Sequence, residues 1–348
     1  MPFTAQELDH AAAAAIEYHY DTPKVRSQTI QDKPLLRKMT EKTKKFPGGK
    51  DNITVRVKGV YSTTISGFEA DDTVSYVNPA NLKTATYPWK LIHSGIQFTM
   101  HELLKSGISI VDSKTGEKTS NASRQEKIML ANLLNDKVED MVEGTDRGMN
   151  VMFWRDGTQD ASLVPGITSF IVDDPTAVAT VGGIDQSVDT WWQNRADLAI
   201  ALGSGPETGA VLNKLQVEFR QLRRYGGKPD LILAGSDMMD RIEKELKAQG
   251  YYTDSGWAKS GRIDGSVTDL AFKNVMIEYD PTMDDLGFTK RAYVLDCKSF
   301  HPMCIDGEDG KDHAPARPED QYVFYRARTW VGGLVCKQRN ANGVYGFA

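Results

Sequence analysis

The chain has 348 residues, of which 40% are hydrophobic, and a formal net charge of −5 at pH 7. This length allows two or three domains with a sizeable core, and the composition excludes a disordered protein. The small net charge excludes a protein that binds polyanions with its whole surface. No apolar run reaches the roughly 20 residues of a membrane span, and the start MPFTAQELDH lacks the pattern of a signal peptide. We therefore expect synthesis in the cytoplasm and no membrane partner.

The first 50 residues predict an extended, basic arm. One short helical signal, AQELDHAAAAAIEYHY, is followed by prolines and by a PGG sequence, which interrupt regular structure. Basic residues outnumber acidic ones by eleven to three between Lys24 and Lys58. Such an arm is either a solvated charged surface or lies on an acidic neighbour or on nucleic acid. Its candidate contact residues are Arg37, Lys38, Lys42, Lys44 and Lys45.

A long two-stranded hairpin is predicted next. Two runs, ITVRVKGVYSTTI and TATYPWKLIHSGIQFTM, are rich in β-branched and aromatic residues. An isolated hairpin is only marginally stable in water, so we expect its aromatic side chains to pack on something else, such as another subunit. The candidate contacts between subunits are Tyr61, Phe68, Tyr76, Tyr87 and Trp89.

A long helix is predicted from Ser123, because apolar residues recur every three or four positions as far as Met152. Its methionine-rich stripe is interpreted as core packing. Alternating elements follow: a helix over 210–225, the strand LILAG and the capped helix SDMMDRIEKELKAQG. Further strands are predicted at NVMIEY, AYVLD and SFHPMCI, and the segment QYVFYRARTWVGGLVCKQR predicts a pair of strands.

Tests for catalytic and cofactor-binding motifs are negative. The sequence has no P-loop, no G-x-G-x-x-G fingerprint, no G-x-S-x-G elbow and no H-E-x-x-H pair. A metal ion could be bound jointly by Cys297, His301 and Cys304 only if the chain turned at Pro302. The cysteines are therefore interpreted as buried thiols. GEDGKDH and DPTMDD do not match a calcium loop. We expect no enzyme activity, no catalytic residue, no metal and no cofactor.

Five segments stand out together along the chain: VPGITSFIVDDP, VGGIDQSVDTWWQN, GGKPDLILAGSDMMDRI, YVLDCKSFHPM and PEDQYVFYRARTWVGGLVCKQRNANGVYG. In this order they resemble the major capsid protein family of tailed bacteriophages. The resemblance covers the chain by motif from about Leu163 onward, and residues 1–160 by the order of elements alone.

The resemblance implies an α+β fold of the Hong Kong phage capsid type, which encapsulins share. Its parts would be an N-arm (1–52), an E-loop hairpin (53–92), a P-domain with a long spine helix (93–205), a compact α/β A-domain (206–312) and a C-terminal return to the P-domain (313–348). Within VGGIDQSVDTWWQN, it implies that Gly182, Gly183, Trp191 and Trp192 form a structural anchor, because glycines permit a tight turn and tryptophans bury large apolar areas.

The function implied is that of a subunit that assembles with itself into pentamers and hexamers, which form the icosahedral head shell of the virion around double-stranded DNA. Its partners would be other copies, a portal protein, scaffolding and decoration proteins, and the packaged DNA. Because the arm begins almost at the first residue, scaffolding is expected to be a separate protein or to be unnecessary. Two alternatives stay open: an encapsulin-like nanocompartment shell, and a soluble α/β enzyme that only the compact unit at 210–296 supports.

Some relatives lock the shell with an isopeptide bond between an E-loop lysine and an asparagine of a neighbouring subunit. Lys83 and either Asn340 or Asn342 lie at roughly suitable positions here. The reaction needs a carboxylate as base, yet no acidic residue follows Asp320, so any base would have to come from elsewhere, such as Glu69, Asp71 or another subunit. We therefore expect locking without covalent bonds.

Overall fold

The computed structural model describes residues 31–61, 63, 65–73, 76, 81–99, 101, 124–248, 270–316 and 323–347. The chain divides into two compact units. The first unit takes the described parts of Met1–Gln31, Leu91–Met149 and Ile305–Val331, and the second takes those of Asp32–Lys90, Asn150–Cys304 and Gly332–Ala348. The helical signal predicted over residues 5–20 lies outside the described residues.

Helices in the described chain are α1 (Pro34–Lys42), α2 (Arg124–Trp154), α3 (Ile167–Phe170), α4 (Ala210–Arg223), α5 (Ser236–Ala248) and α6 (Pro281–Asp285). Single 3-10 turns occur at Thr190–Trp192, Pro206–Thr208 and Arg339–Ala341. Across the described residues, no helix combines the length and apolar character that a membrane crossing requires.

Strands in the described chain are β1 (Lys44–Phe46), β2 (Asn52–Lys58), β3 (Leu82–Pro88), β4 (Lys90–Thr99), β5 (Thr180–Val181), β6 (Ile184–Asp185), β7 (Arg195–Ile200), β8 (Leu231–Ala234), β9 (Leu270–Phe272), β10 (Val275–Tyr279), β11 (Arg291–Leu295), β12 (Phe300–Ile305), β13 (Lys311–Ala316), β14 (Val323–Cys336) and β15 (Gly343–Phe347).

The second unit contains a six-stranded sheet in the order β7-β15-β11-β8-β10-β9. Strand β8 pairs in parallel with β10 and antiparallel with β11, and all four of its residues are buried. Helices α4 and α5 contribute Leu215, Phe219, Met238 and Ile242 to the same apolar cluster as the sheet. The two helices and the strand LILAG that the sequence predicts here are confirmed.

Helix α2 begins at Arg124, one residue after the predicted start. Its buried side chains include Val138, Met141 and Met152, which agrees with the interpretation of the methionine-rich stripe as core. At its end, the indole of Trp154 is fully buried and donates through Nε1 to Asp280 Oδ2 at 2.9 Å. Burial raises the pKa of that carboxyl, against hydrogen bonds that lower it.

The prediction of an extended arm is wrong for residues 34–42, which form helix α1. Pro34 occupies the first turn, where the missing N–H has no intrahelical partner to lose, so this proline starts a helix instead of breaking one. Leu35 and Met39 lie four residues apart on one face, and both are fully buried. A short amphipathic helix therefore replaces the predicted extended segment.

The predicted hairpin forms only in part. Strands β2 and β3 pair antiparallel from Asn52 opposite Pro88 to Lys58 opposite Leu82. The second run then divides at Trp89, and its remainder, β4, pairs with β14. Pro88 has no N–H to donate to a continuing ladder, which is a physical reason for the division at this point.

The predicted strand pair near the C-terminal end is wrong, because β14 is one continuous strand. Its residues 325–329 pair with β13, and its residues 332–336 pair with β12. The adjacent glycines Gly332 and Gly333 do not turn the chain. A Cβ on Gly333 would lie 2.5 Å from the carbonyl oxygen of Pro88, so glycine permits close packing of two backbones here.

Candidate functional site

The two glycines of VGGIDQSVDTWWQN join β5 to β6 as a two-residue turn. Gly182 and Gly183 have φ values of 62° and 79°, and a two-residue hairpin of this kind requires positive φ at both positions. Gly182 also has a packing role, because a Cβ there would lie 2.9 Å from Cε1 of Tyr87. Its carbonyl oxygen accepts from the backbone N–H of Thr86 at 2.9 Å. The turn therefore supports strand β3 of the hairpin.

The two tryptophans differ in their surroundings. Trp192 is 1% exposed and donates through Nε1 to the carbonyl oxygen of Val181 at 3.0 Å. Trp191 is half-buried and lies against the end of β2, where a Cβ on Gly59 would come within 2.5 Å of its ring. The two rings meet edge to face, with centroids 5.7 Å apart. Trp192 is thus a core residue, whereas Trp191 contacts the hairpin.

A buried arginine completes this region, and the sequence analysis missed it. Arg339 is 1% exposed and donates to the carbonyl oxygens of Phe170 (2.8 Å) and Trp192 (3.0 Å). It also donates to the side-chain oxygens of Gln186 (3.1 Å) and Asn194 (2.9 Å). Burial lowers the pKa of the guanidinium to about 10, so it stays charged at neutral pH. The only sequence signal is one arginine among small and amide residues in RNANG.

Tyr87 is removed from the candidate contacts between subunits. Its side chain is 2% exposed, its ring lies 5.3 Å from that of Phe170, and its hydroxyl donates to the carbonyl oxygen of Cys336 at 2.6 Å. Desolvation raises the pKa of this hydroxyl. Trp89 is half-buried and donates through Nε1 to the carbonyl oxygen of Lys50 at 2.9 Å. The base of the hairpin is therefore packed within its own unit.

The other candidate contacts of the hairpin lie beyond its base and are exposed. Tyr61 is 77% exposed, Phe68 is 68% exposed and Tyr76 is 93% exposed. Two aliphatic side chains of the same segment, Val60 and Ile65, are exposed as well. Several exposed apolar side chains within one short segment commonly mark a surface that another molecule covers.

The basic arm uses much of its charge within the chain. Arg37 forms an ion pair with Glu278, and Lys38 and Lys42 reach the carboxylate of Glu41 at 3.5 Å and 3.0 Å. The two remaining candidates, Lys44 and Lys45, are exposed on strand β1. At least three of the five predicted contact residues thus already have a carboxylate partner.

The residues considered for a metal lie in the core. Cys297, Cys304 and Cys336 are buried free thiols. His301 is fully buried, and desolvation, with Lys44 and Lys337 as nearby cations, lowers its pKa to about 4. Strand β12 continues through Pro302 without a turn. In the part of the chain that the structure describes, no three His, Cys, Asp or Glu residues are grouped to hold a metal ion.

No protein-family model matches the chain, and no curated protein matches it either. Solved structures do match. The cyanophage A-1(L) capsid asymmetric unit is 14% identical with a TM-score of 0.66, over 93% of this chain and 95% of that one. The capsid of Myoviridae phage XM1 is 10% identical with a TM-score of 0.55, over 94% and 96% of the two chains. The capsid of a native GTA particle is 11% identical with a TM-score of 0.54, over 97% and 98%. The chain therefore has the α+β fold of phage capsid proteins that its sequence motifs predict.

Proposed function

We propose that this chain is the major capsid subunit of a tailed bacteriophage, with a structural and not a catalytic role. Copies would join into pentamers and hexamers and close into an icosahedral head shell. In this proposal the shell encloses double-stranded DNA, and a portal protein occupies one opening. The protein would be made in the host cytoplasm and reside in the virion.

The observation that carries the proposal is the extent of the structural match. More than nine-tenths of this chain superimposes on more than nine-tenths of several capsid chains, so no additional domain needs another explanation. Fold alone does not specify function, but the match includes the parts outside the compact sheet. An enzyme built on the sheet alone would have no use for them.

The exposed aromatic residues between β2 and β3 support the same proposal. A soluble monomer rarely leaves several aromatic side chains of one segment exposed. Tyr61, Phe68 and Tyr76 would be covered if this segment lay on a neighbouring copy. The division into N-arm, E-loop, P-domain and A-domain, at the boundaries given above, is part of this proposal.

Electron microscopy and sedimentation of the purified full-length chain test it. We expect closed shells with pentameric and hexameric units. Monomers at every concentration would contradict both this proposal and the encapsulin-like alternative. Shells that enclose a cargo protein, in a genome without portal or packaging genes nearby, would favour the encapsulin-like alternative.

A shortened hairpin sharpens the test. Gly59 donates through its N–H to the carbonyl oxygen of Asn81 at 3.2 Å, so a two-residue Asn-Gly turn can replace residues 60–80 without unpairing β2 and β3. We expect this variant to fold, with an unchanged circular dichroism spectrum per residue, and to form no shells. If it assembled normal shells, the E-loop assignment would be wrong.

A further inference from the structure

We infer that an acidic turn at the tip of the hairpin in one copy docks into a basic groove at the hairpin base of a second copy. The acidic turn is Phe68–Asp72. The basic groove lies between the end of β2, the tandem tryptophans, the end of α4 and residues 337–340, and has a volume of about 770 Å³. The inference rests on the proposed function, because it requires copies that meet side by side.

The groove carries positive charge that nothing in the described chain neutralises. Lys58, Arg224 and Lys337 line it and are exposed, and none of the described ion pairs includes them. Lys58 lies over the ring of Tyr61 at 4.4 Å, and Arg224 over that of Tyr225 at 5.5 Å. No aspartate or glutamate lines the groove. Three cations and two aromatic rings thus face a cleft of the size that usually holds a ligand.

The other two cations of the groove are already satisfied. Arg195 donates through Nε and Nη2 to the carboxylate of Glu218 at 2.8 Å and 3.0 Å, and Arg339 has its four neutral acceptors. By contrast, desolvation and the charge of Lys44 lower the pKa of Lys337. This is the direction expected of a lysine that is partly buried and has another cation nearby.

The acidic turn has the complementary chemistry in a fixed shape. Glu69, Asp71 and Asp72 supply three carboxylates, and the segment has no basic residue. The backbone N–H of Glu69 donates to Asp72 Oδ2 at 2.9 Å, and that of Asp72 donates to the carbonyl oxygen of Glu69 at 3.0 Å. A turn closed in this way loses little entropy on docking. Exposed Phe68 offers a ring to the aromatic wall of the groove.

The occupant is assigned to a second copy because, among the described residues, no ion pair joins the turn to the groove of its own chain. Three carboxylates and an aromatic ring match three cations and an aromatic wall. A DNA backbone would use the cations but leave the aromatic wall without a partner. Complementary charges of this kind fix which surfaces of neighbouring copies meet.

Charge reversal followed by charge exchange tests the inference. The groove variant is Lys58→Glu/Arg224→Glu, and the tip variant is Glu69→Lys/Asp71→Lys, with Asp72 kept because it closes the turn. Like charges at a contact oppose association, so each variant should need about tenfold or more protein for half-maximal assembly. The combined variant should recover most of that loss. The control Asp140→Lys/Asp240→Lys makes the same charge change as the tip variant at exposed sites elsewhere and should assemble as the unchanged chain does.

A cross-linking experiment gives a readout that does not depend on shells. One chain carries Asp71→Cys, and a second, differently tagged chain carries Arg224→Cys. The native cysteines are buried, so mild oxidation should join the two chains through the new cysteines alone. Replacing Asp71→Cys by Asp240→Cys should reduce the heterodimer to background.

The outcomes separate the two proposals. Shells that form with neither the cross-link nor a charge effect would overturn the inference and leave the proposed function standing. A cross-link without shells would support docking between copies while contradicting the capsid function. If the groove variant assembled normally but lost bound DNA, the groove would be a nucleic-acid site and the inference would be wrong.

Discussion

The six-stranded sheet and the hairpin of the second unit differ in how they bury their apolar side chains. In the sheet, every residue of β8 is buried, and α4 and α5 supply the covering side chains. The hairpin buries one face of β2 and β3, through Ile53, Val57, Ala85 and Tyr87. Beyond Gly59, the described side chains of Val60, Tyr61, Ile65, Phe68 and Tyr76 are exposed. We therefore expect the sheet to be stabilised by its own core. The hairpin is stabilised only where β2 and β3 pack on the rest of the second unit.

The same contrast appears in the polar groups. The sheet region closes its own helix ends: the buried carboxylate of Glu245 on α5 accepts from the backbone N–H groups of Val211 and Leu212, each at 3.0 Å, at the start of α4. The hairpin base instead relies on groups from distant segments, such as the carbonyl oxygens of Gly182 and Cys336. Damage to these segments should release the hairpin before it unfolds the sheet.

The largest effect is expected for Trp192→Ala. Removing a fully buried tryptophan costs about 3–5 kcal/mol when the site cannot collapse. The indole also bonds to Val181 and packs on Trp191, which contacts the hairpin. Native-state hydrogen exchange should show protection lost first in β2 and β3 and last in β8.

Trp192→Phe is the matched control, because it keeps an aromatic ring and loses only the N–H and part of the volume. It should lose less than half as much stability. Equal loss of protection in β8 and in the hairpin would show that the two regions form one cooperative element. Soluble double tryptophan variants that bind a small molecule differently would revive a binding role for the motif.

Arg339→Met should cost about 3 kcal/mol. Four acceptors lose the guanidinium at once, and two of them are side chains of Gln186 and Asn194 that are themselves buried. Of its described donors, Asn194 Oδ1 keeps only the N–H of Val172, at 3.2 Å. Urea unfolding of the unassembled subunit measures the loss. Arg339→Lys keeps the charge, but one ammonium cannot reproduce the planar fork, so it should recover only part of the stability. Full recovery would mean that charge matters here and hydrogen-bond geometry does not.

Low pH should destabilise the pair of strands β12 and β14, which contacts the hairpin, through protonation of His301. His301 lies opposite Val335 in the pair of strands β12 and β14. Val335 is followed by Cys336, whose carbonyl oxygen accepts from the hydroxyl of Tyr87. The pKa of His301 is about 4 in the folded chain against an ordinary 6.5. The unfolded chain therefore binds the proton first, and stability is lost as the pH falls from about 6.5 to 4, by on the order of 3 kcal/mol.

His301→Phe should flatten this part of the stability profile. The control His313→Gln alters an exposed histidine that bonds to Thr329 and should leave the profile unchanged. The measurement is the free energy of unfolding at several pH values between 4 and 7. An unchanged slope in His301→Phe would assign the acid sensitivity to other groups.

The glycine turn offers a matched pair with a smaller effect. Both glycines have positive φ, so alanine at either position costs about 1 kcal/mol of backbone strain. At Gly183 no atom lies within 4 Å of the added Cβ, whereas at Gly182 the Cε1 atom of Tyr87 would lie 2.9 Å from it. Gly182→Ala should therefore cost about 2 kcal/mol and loosen β3. Equal costs for the two variants would remove the packing role assigned to Gly182.

The elements predicted correctly are those whose signals are local. Helices α4 and α5 and strand β8 have a clear period and flanking glycines within a few residues. The errors arose where a local signal has two meanings. Pro34 starts helix α1, and the burial of Leu35 and Met39 on one face stabilises that helix. Gly333 allows two backbones to pack closely, because Pro88, which is distant in sequence, approaches it.

The candidate site shows the same limit. The tandem tryptophans are visible in the sequence because they are rare and adjacent. The role of Arg339 is not visible, since its four acceptors come from segments roughly 145 to 170 residues away in the chain. The groove likewise combines residues from β2, α4 and the C-terminal segment that only the fold brings together.

The smallest effect is expected for Lys83→Ala. Lys83 forms an ion pair with Asp189 of its own chain, and its side chain is 43% exposed, so the loss should stay below about 1 kcal/mol. Its ammonium is a poor nucleophile while protonated. Asn342 is buried, accepts from the N–H of Asp296 at 2.8 Å and donates to the carbonyl oxygen of Gln338 at 2.9 Å, which shields its amide from attack by a neighbour.

The half-buried Asn340 is therefore the more accessible of the two asparagine candidates, and the residues after Asp320 provide no carboxylate to act as a base. Assembled particles boiled in detergent and reductant should give one band at the mass of the monomer, for the unchanged chain and for Lys83→Ala alike. A ladder of covalent multimers that disappears in Lys83→Ala would overturn this expectation. It would also mean that assembly breaks the pair with Asp189 and moves Lys83 to a neighbour, so the hairpin base would not be the fixed element that its packing indicates.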